Sequence, residues 1–240
     1  MTGRPPRRAR TPRRHLYRIG RPPDPLAWPP HAVIGQERFD DPLRQYRVLY
    51  AAAQRAGCFA ETLAAFRPSL ASLAAERAVL NTGEPLRTAH VPAAWWRNRL
   101  MATFRLAPGR WLDLRTLTTF QVLREEFAEL ASSVGLADVD LSAATGRVSI
   151  LGQERRLTQQ ISRWAFEHDY HGIVYTSRLH HRFACWAVFE SATIQPLGAP
   201  APITPADRDF MRIARAFGLT VESQRPDSKA GNHAPSRPAL

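Results

Sequence analysis

The sequence predicts an α+β domain, and three observations point there. β-rich runs and amphipathic helical runs both occur, but they do not alternate strictly along the chain. The hydrophobic share is 44% over 240 residues, enough for one proper core and short of what two full domains need. No segment repeats.

The elements follow in order. His15–Gly20 reads as a short strand with Leu16 and Ile19 apolar. The prolines at 22, 23, 25, 29 and 30 then force a loop, because proline continues neither a strand nor a helix interior. Tyr46–Ala53 is strand-like, with Val48 and Tyr50 alternating against Arg47 and Leu49. Gly57 precedes a helix over Cys58–Arg67, in which Phe59, Leu63 and Phe66 share a face before Pro68 stops it. Leu70–Leu80 reads as helix, Leu86–Val91 and Leu100–Leu106 as strands, and Thr116–Ala131 as one further helix. Gln153–His168 is a stronger helix, striped by Leu157, Ile161, Trp164 and Ala165. Gly172–Ser177 and Phe183–Phe189 follow as β-rich segments. Thr204-Pro-Ala-Asp207 resembles a helix start with Thr204 as N-cap, and Phe210, Ile213, Ala214 and Phe217 form the buried stripe that Gly218 ends.

The ends differ in composition. Residues 1–14 hold six arginines, three prolines and no acid, and supply half of the formal charge of +12. Such an arm buries little apolar surface and is expected to be solvated. Residues 223–240, rich in Pro, Ser, Ala and Gly, are expected to form a flexible tail, which leaves 15–222 as the domain. The arginines run into polar, Pro-rich sequence, so no secretory signal is expected, and no apolar stretch is long enough to span a bilayer. The expected location is the cytoplasm, with Cys58 and Cys185 as buried reduced thiols.

Five positions carry the candidate chemistry. Arg18 lies on the first strand, Arg38 opens Arg-Phe-Asp-Asp-Pro (38–42), and Tyr50 follows Leu49 on the second strand. Glu61 lies in Ala-Glu-Thr-Leu (60–63), and Ser177 closes Tyr-Thr-Ser after the strand that Gly172 starts. In this order they resemble the RES-domain family, named for an arginine, a glutamate and a serine that Arg18, Glu61 and Ser177 match. The family's Arg-Phe loop matches Arg38-Phe39, and its Leu-Tyr strand matches Leu49-Tyr50. The resemblance runs over roughly residues 15 to 197, with a longer middle between Glu61 and Ser177. It departs at Glu37 and Asp40, where many members have glycine and asparagine.

The resemblance implies a compact core similar to that of ADP-ribosyltransferases, with the NAD cleft expected between sheet layers. It implies an enzyme that consumes NAD by hydrolysis or phosphorolysis, or that transfers ADP-ribose to a protein, and that is neutralised as a toxin by a partner antitoxin. NAD is then the substrate, with no prosthetic group and no metal. Glu61 would stabilise an oxocarbenium-like ribose, as carboxylates do in glycoside hydrolysis. Arg18 and Arg38 would fork onto the pyrophosphate. Tyr50 would stack on nicotinamide, and Ser177 would orient Glu61 or bind the ribose.

Plainer readings stand beside these. Glu61 is otherwise a solvated helix acid, Arg18 and Arg38 surface charges, Tyr50 a packing residue and Ser177 a turn residue at a strand end. His168, His171, His180 and His181 cluster in sequence, but no cysteine lies nearby and no His-Glu-x-x-His helix is present, so a zinc site is disfavoured. The basic arm keeps open a non-catalytic module binding nucleic acid through phosphates, although no recognition motif accompanies it. An interaction-only role for the fold is the third alternative.

Overall fold

A computed structural model describes residues 15–79, 89–136 and 151–223, together with 6, 8–12, 138 and 139. From the N-terminus, β1 (Arg8–Ala9) and β2 (Leu16–Gly20) lead through the proline loop to β3 (Val48–Ala52). The helices α1 (Arg55–Leu63) and α2 (Leu70–Val79) follow, then β4 (Ala89–Val91), α3 (Ala93–Arg97), β5 (Leu100–Leu106) and β6 (Trp111–Asp113). Next come α4 (Leu117–Glu126), α5 (Ala128–Ser133) and α6 (Leu151–Glu167), then β7 (Gly172–Thr176) and β8 (Ala184–Phe189). The chain closes with β9 (Ile194–Pro196), β10 (Ala201–Pro202), α7 (Arg208–Ala216) and β11 (Leu219–Val221).

Nine strands form one sheet in the order β1-β6-β7-β8-β3-β2-β5-β10, with β9 also on β5; β11 pairs with β4 in a small parallel sheet. Within the large sheet only β6 and β7 run parallel. This is the expected α+β arrangement, a central sheet flanked by helices.

Both faces of the sheet are covered, which explains why apolar residues run consecutively in the central strands. Val48, Ala52, Ile173, Ala187 and Phe189 belong to the core beneath α1, α6 and α7, with Phe59, Leu157, Ile161 and Phe210. Their neighbours Leu49, Ala51, Val174, Trp186 and Val188 pack on the other face with Trp111 and Phe104. The period of two in β3 is real, but each parity is buried against a different layer.

Several elements depart from expectation. Part of the basic arm joins the sheet: β1 pairs antiparallel with β6, and Thr11 Oγ1 accepts hydrogen bonds from Gly109 N–H and Trp111 Nε1–H, both 3.1 Å. Without β1 the edge of β6 would present unpaired backbone groups. Residues 1–5, 7, 13 and 14 of the arm, the tail from 224 onwards, and positions 80 and 86–88 of the expected Leu70–Leu80 and Leu86–Val91 elements lie outside the described residues.

The long helix expected over Thr116–Ala131 is two, because Phe127 leaves helical dihedrals (φ −110°, ψ 15°) while its ring enters the core. The N-cap of α7 is Asp207 and not Thr204. The Asp207 carboxylate accepts from Asp209 and Phe210 N–H (2.9 and 3.2 Å), whereas Thr204 closes the preceding turn. The first helix starts at Arg55, so Gly57 lies inside it. A Cβ there would meet that of Ala52 at 3.1 Å, so the glycine lets α1 approach β3 closely.

Candidate active site

A cleft of about 510 Å³ opens on the α1 side of β2 and β3. That size falls within the roughly 300–1,000 Å³ of small-molecule sites. Its walls are one sheet face, α1 and the loop before β3, so it does not lie between two sheet layers as expected. Arg18, Arg38, Tyr50 and Glu61 all line it, so four of the five candidates converge from four separate pieces of chain. Ser177 is not among the lining residues.

Arg18 is placed by backbone carbonyls. Its Nε–H donates to Pro25 O and its Nη1–H to Tyr50 O, both 2.9 Å, which ties the proline loop to β3 and leaves Nη2 for a ligand. Gly20 makes this possible, since a Cβ at that position would lie 2.3 Å from Pro25 O. Burial lowers the Arg18 pKa from its ordinary 12.5.

The loop carrying Arg38 is built around Asp40. Asp40 Oδ2 accepts from Gly35 and Glu37 N–H (3.0 and 2.9 Å), and Oδ1 accepts from the Tyr50 hydroxyl at 3.0 Å. The same hydroxyl accepts from Phe39 N–H at 2.9 Å. Burial raises the Tyr50 phenol well above its ordinary pKa, so it stays protonated and keeps donating. Helix α6 holds the loop from outside. Gln159 Nε2 donates to Gly35 O and Glu37 O, both 3.0 Å, and the Ser162 hydroxyl donates to Phe39 O at 2.6 Å. The left-handed conformation the turn needs falls on Gly35 (φ 96°), so Glu37 occupies its place without a positive φ.

Arg38 itself lies over aromatic faces, its guanidinium carbon 5.3 Å from the Phe39 centroid and 5.7 Å from that of Tyr175. Across the cleft, exposed Glu61 on α1 has Oε1 3.8 Å from the Cys185 sulfur. Asp40, Glu37, Tyr175, Trp95, Arg99 and Arg178 complete the chemistry of the walls and were not among the sequence candidates. Desolvation of the Glu37 carboxyl, followed by the charge of Asp40, raises its pKa.

Ser177, buried, follows the last residue of β7 and opens a turn. Its N–H donates to Phe183 O (2.9 Å) and its Oγ accepts from Leu179 N–H (3.0 Å), fixing the loop that carries Arg178 into the cleft wall. Cys58 and Cys185 are buried and free; burial pushes the Cys58 thiol up to about 12, so it is no thiolate at neutral pH. The histidines are used locally. His168 stacks on Trp164, His180 stacks on His181, and His171 Nδ1 accepts from Arg110 N–H. Among the described residues no group of three His, Cys, Asp or Glu side chains gathers to hold a metal. Among them, too, no helix is long and apolar enough to cross a membrane.

With the cleft's geometry in view, the RES-domain family model matches residues 15–212, from the start of β2 into α7. The chain belongs to the RES-domain family. The fold is also similar to a chain in the crystal structure of the M. tuberculosis MbcT–MbcA toxin–antitoxin complex. That similarity has a TM-score of 0.51 at 16% identity and covers 87% of this chain and 92% of that one. At that identity the likeness speaks for the fold alone. No curated protein matches the sequence. The RES match takes in all five candidates, and the structure gathers four of them around the cleft.

Proposed function

We propose that this RES-domain protein consumes NAD by cleaving the bond between nicotinamide and ribose. The observation that carries the reading is the convergence of an exposed carboxylate, Glu61, with two arginines held in fixed positions, Arg18 and Arg38, in one cleft of ligand size. The guanidinium groups suit the pyrophosphate, because each offers a planar fork of donors. Glu61 suits the ribose, where a carboxylate favours the positive charge that builds up as the C1′–N bond breaks. The bonding pair leaves with the pyridinium nitrogen, which yields neutral nicotinamide. An acceptor oxygen then bonds to C1′ and loses its proton to solvent.

Water or phosphate is the acceptor in this reading, with a protein side chain as the remaining choice. Tyr50 acts through its ring, since its hydroxyl is committed to the Phe39–Asp40 backbone and side chain. Ser177 acts by shaping the turn that carries Arg178. Residues 15–222 form the catalytic domain, acting in the cytoplasm without a prosthetic group. The toxin–antitoxin complex among the similar structures supports a partner antitoxin.

The test is nicotinamide release by the full chain, with and without phosphate, beside Glu61→Gln. A loss of about 10²–10³-fold in a folded Gln variant is expected, the size seen when one electrostatic group is removed from a transition state. Full activity of that variant would remove Glu61 from the mechanism.

A further inference from the structure

A second hollow of about 620 Å³ adjoins the cleft, and Trp95 and Arg99 line both. Its other walls include Arg21, Phe66 and Asn98, and no carboxylate lines it. Gly20 faces Leu100 across β2 and β5, and Arg21 follows the one strand as Arg99 precedes the other, so both arginines leave the sheet at the same end. Like charges brought close to one another disfavour the arrangement. Here, among the described residues, no ion pair relieves either arginine. Burial lowers the Arg99 pKa, and the charge of Arg21 adds to the effect.

The aromatic wall is fixed. The Trp95 indole packs edge-on to Phe66 (5.8 Å between centroids) and stacks on Phe210 (5.9 Å), and the Arg99 guanidinium carbon lies 5.8 Å from a Trp95 ring centroid. The other arginine-rich hollow offers a contrast. There two aspartates, Asp207 and Asp209, line the wall and pair with Arg55 and Arg212, whereas no carboxylate lines the hollow at Trp95.

We propose that the Arg21–Arg99 pair is a subsite for a phosphate monoester on the adenosine end of the dinucleotide, so that the chain takes the 2′-phosphorylated substrate, NADP, in preference to NAD. The inference rests on the cleft being the dinucleotide site. A ligand filling the cleft runs beside the Trp95 indole, which lines both hollows, and then meets the guanidinium groups of Arg21 and Arg99. Adenine and a 2′-phosphate present a flat base and a dianion in that order. An arginine is also a known means of accommodating the 2′-phosphate where a dinucleotide site would otherwise take the free hydroxyl. Arg18, which lines the cleft with Glu61, remains for the pyrophosphate that both dinucleotides share.

Two measurements keep this separate from the cleavage reading. By calorimetry, the full chain should bind adenosine 2′,5′-bisphosphate about tenfold more tightly than AMP or adenosine 3′,5′-bisphosphate. Arg21→Ala and Arg99→Ala should each remove that preference. Equal affinity for the three nucleotides, binding of none of them, or a preference that survives both substitutions would overturn the subsite. In nicotinamide release, kcat/KM should fall at least ten times more for NADP than for NAD in Arg21→Ala; equal losses would again overturn it. Nicotinamide release from neither dinucleotide, with the bisphosphate preference intact, would instead sink the cleavage reading and leave the subsite standing.

Discussion

The loop from Gly35 to Tyr46 and the turn from Ser177 to Phe183 both border the cleft, yet they are held in opposite ways. The first is fixed by side chains from far along the sequence: Tyr50 on β3, and Gln159 and Ser162 on α6. Its second aspartate, fully buried Asp41, accepts from the N–H groups of Leu43, Gln45 and Tyr46 and has Arg163 within 3.6 Å. The turn at Ser177 closes mainly on itself, through Leu179, Phe183 and the His180–Arg182 contact, with Gln54 at its margin. A loop tied to two distant elements can hold Arg38 in one place only when the whole fold is formed. A self-closing turn needs little beyond its own residues.

That difference predicts graded effects. Asp40→Ala should be the most damaging, since it removes the acceptor of three donors at once. A loss of about 2–4 kcal/mol in urea unfolding is expected, given roughly 1–3 kcal/mol for each donor left buried and unsatisfied and some rescue by water. Nicotinamide release should fall with it. Tyr50→Phe should cost about 1–2 kcal/mol, because Phe39 N–H loses its acceptor. Its activity should drop about tenfold, because the loop loses its link to β3. Ser177→Ala should cost only about 0.5–1.5 kcal/mol, with a smaller loss of activity. If Ser177→Ala abolished turnover at unchanged stability, the hydroxyl would be acting on the substrate and the contrast between the two segments would fail.

The smallest effect concerns Glu37, whose carboxyl pKa is raised in the fold. Its protonated form is favoured by folding. Its contribution to stability is therefore present below the ordinary carboxylate pKa of 4.5 and is lost as pH rises through the raised folded value. Glu37→Gln should match the parent at low pH and become the more stable protein towards neutrality. Thermal melts from pH 4 to 7 check this; a difference independent of pH would remove Glu37 from the loop's electrostatics.

The same contrast explains what the sequence disclosed. β3, β5, β7 and β8 were legible because β-rich segments of five to seven residues, mostly apolar, are long enough to show a strand. β6 and β11, three residues each, are too short to show a period. The cap of α7 was misplaced because Thr204 and Asp207 both fit an N-cap, and only the N–H groups that Asp207 accepts decide between them. Within the site, Arg18, Arg38, Tyr50 and Glu61 were found through family order. Asp40 was noticed only as a departure from the family, and its role depends on Tyr50, ten residues on, and on a turn that α6 braces from more than 120 positions away. No local pattern carries that information. Trp95 and Arg99 escaped for a similar reason, since they reach the cleft through the packing of Trp95 on Phe66 and Phe210 and through the pairing of β5 with β2.

The central claim is which bond breaks. NAD incubated with the full chain and resolved by mass spectrometry should yield nicotinamide in equal amount to ADP-ribose, or to its phosphorylated form when phosphate is supplied. NAD left intact by the folded protein in both buffers, or cut at the pyrophosphate into AMP and nicotinamide mononucleotide, would contradict the account.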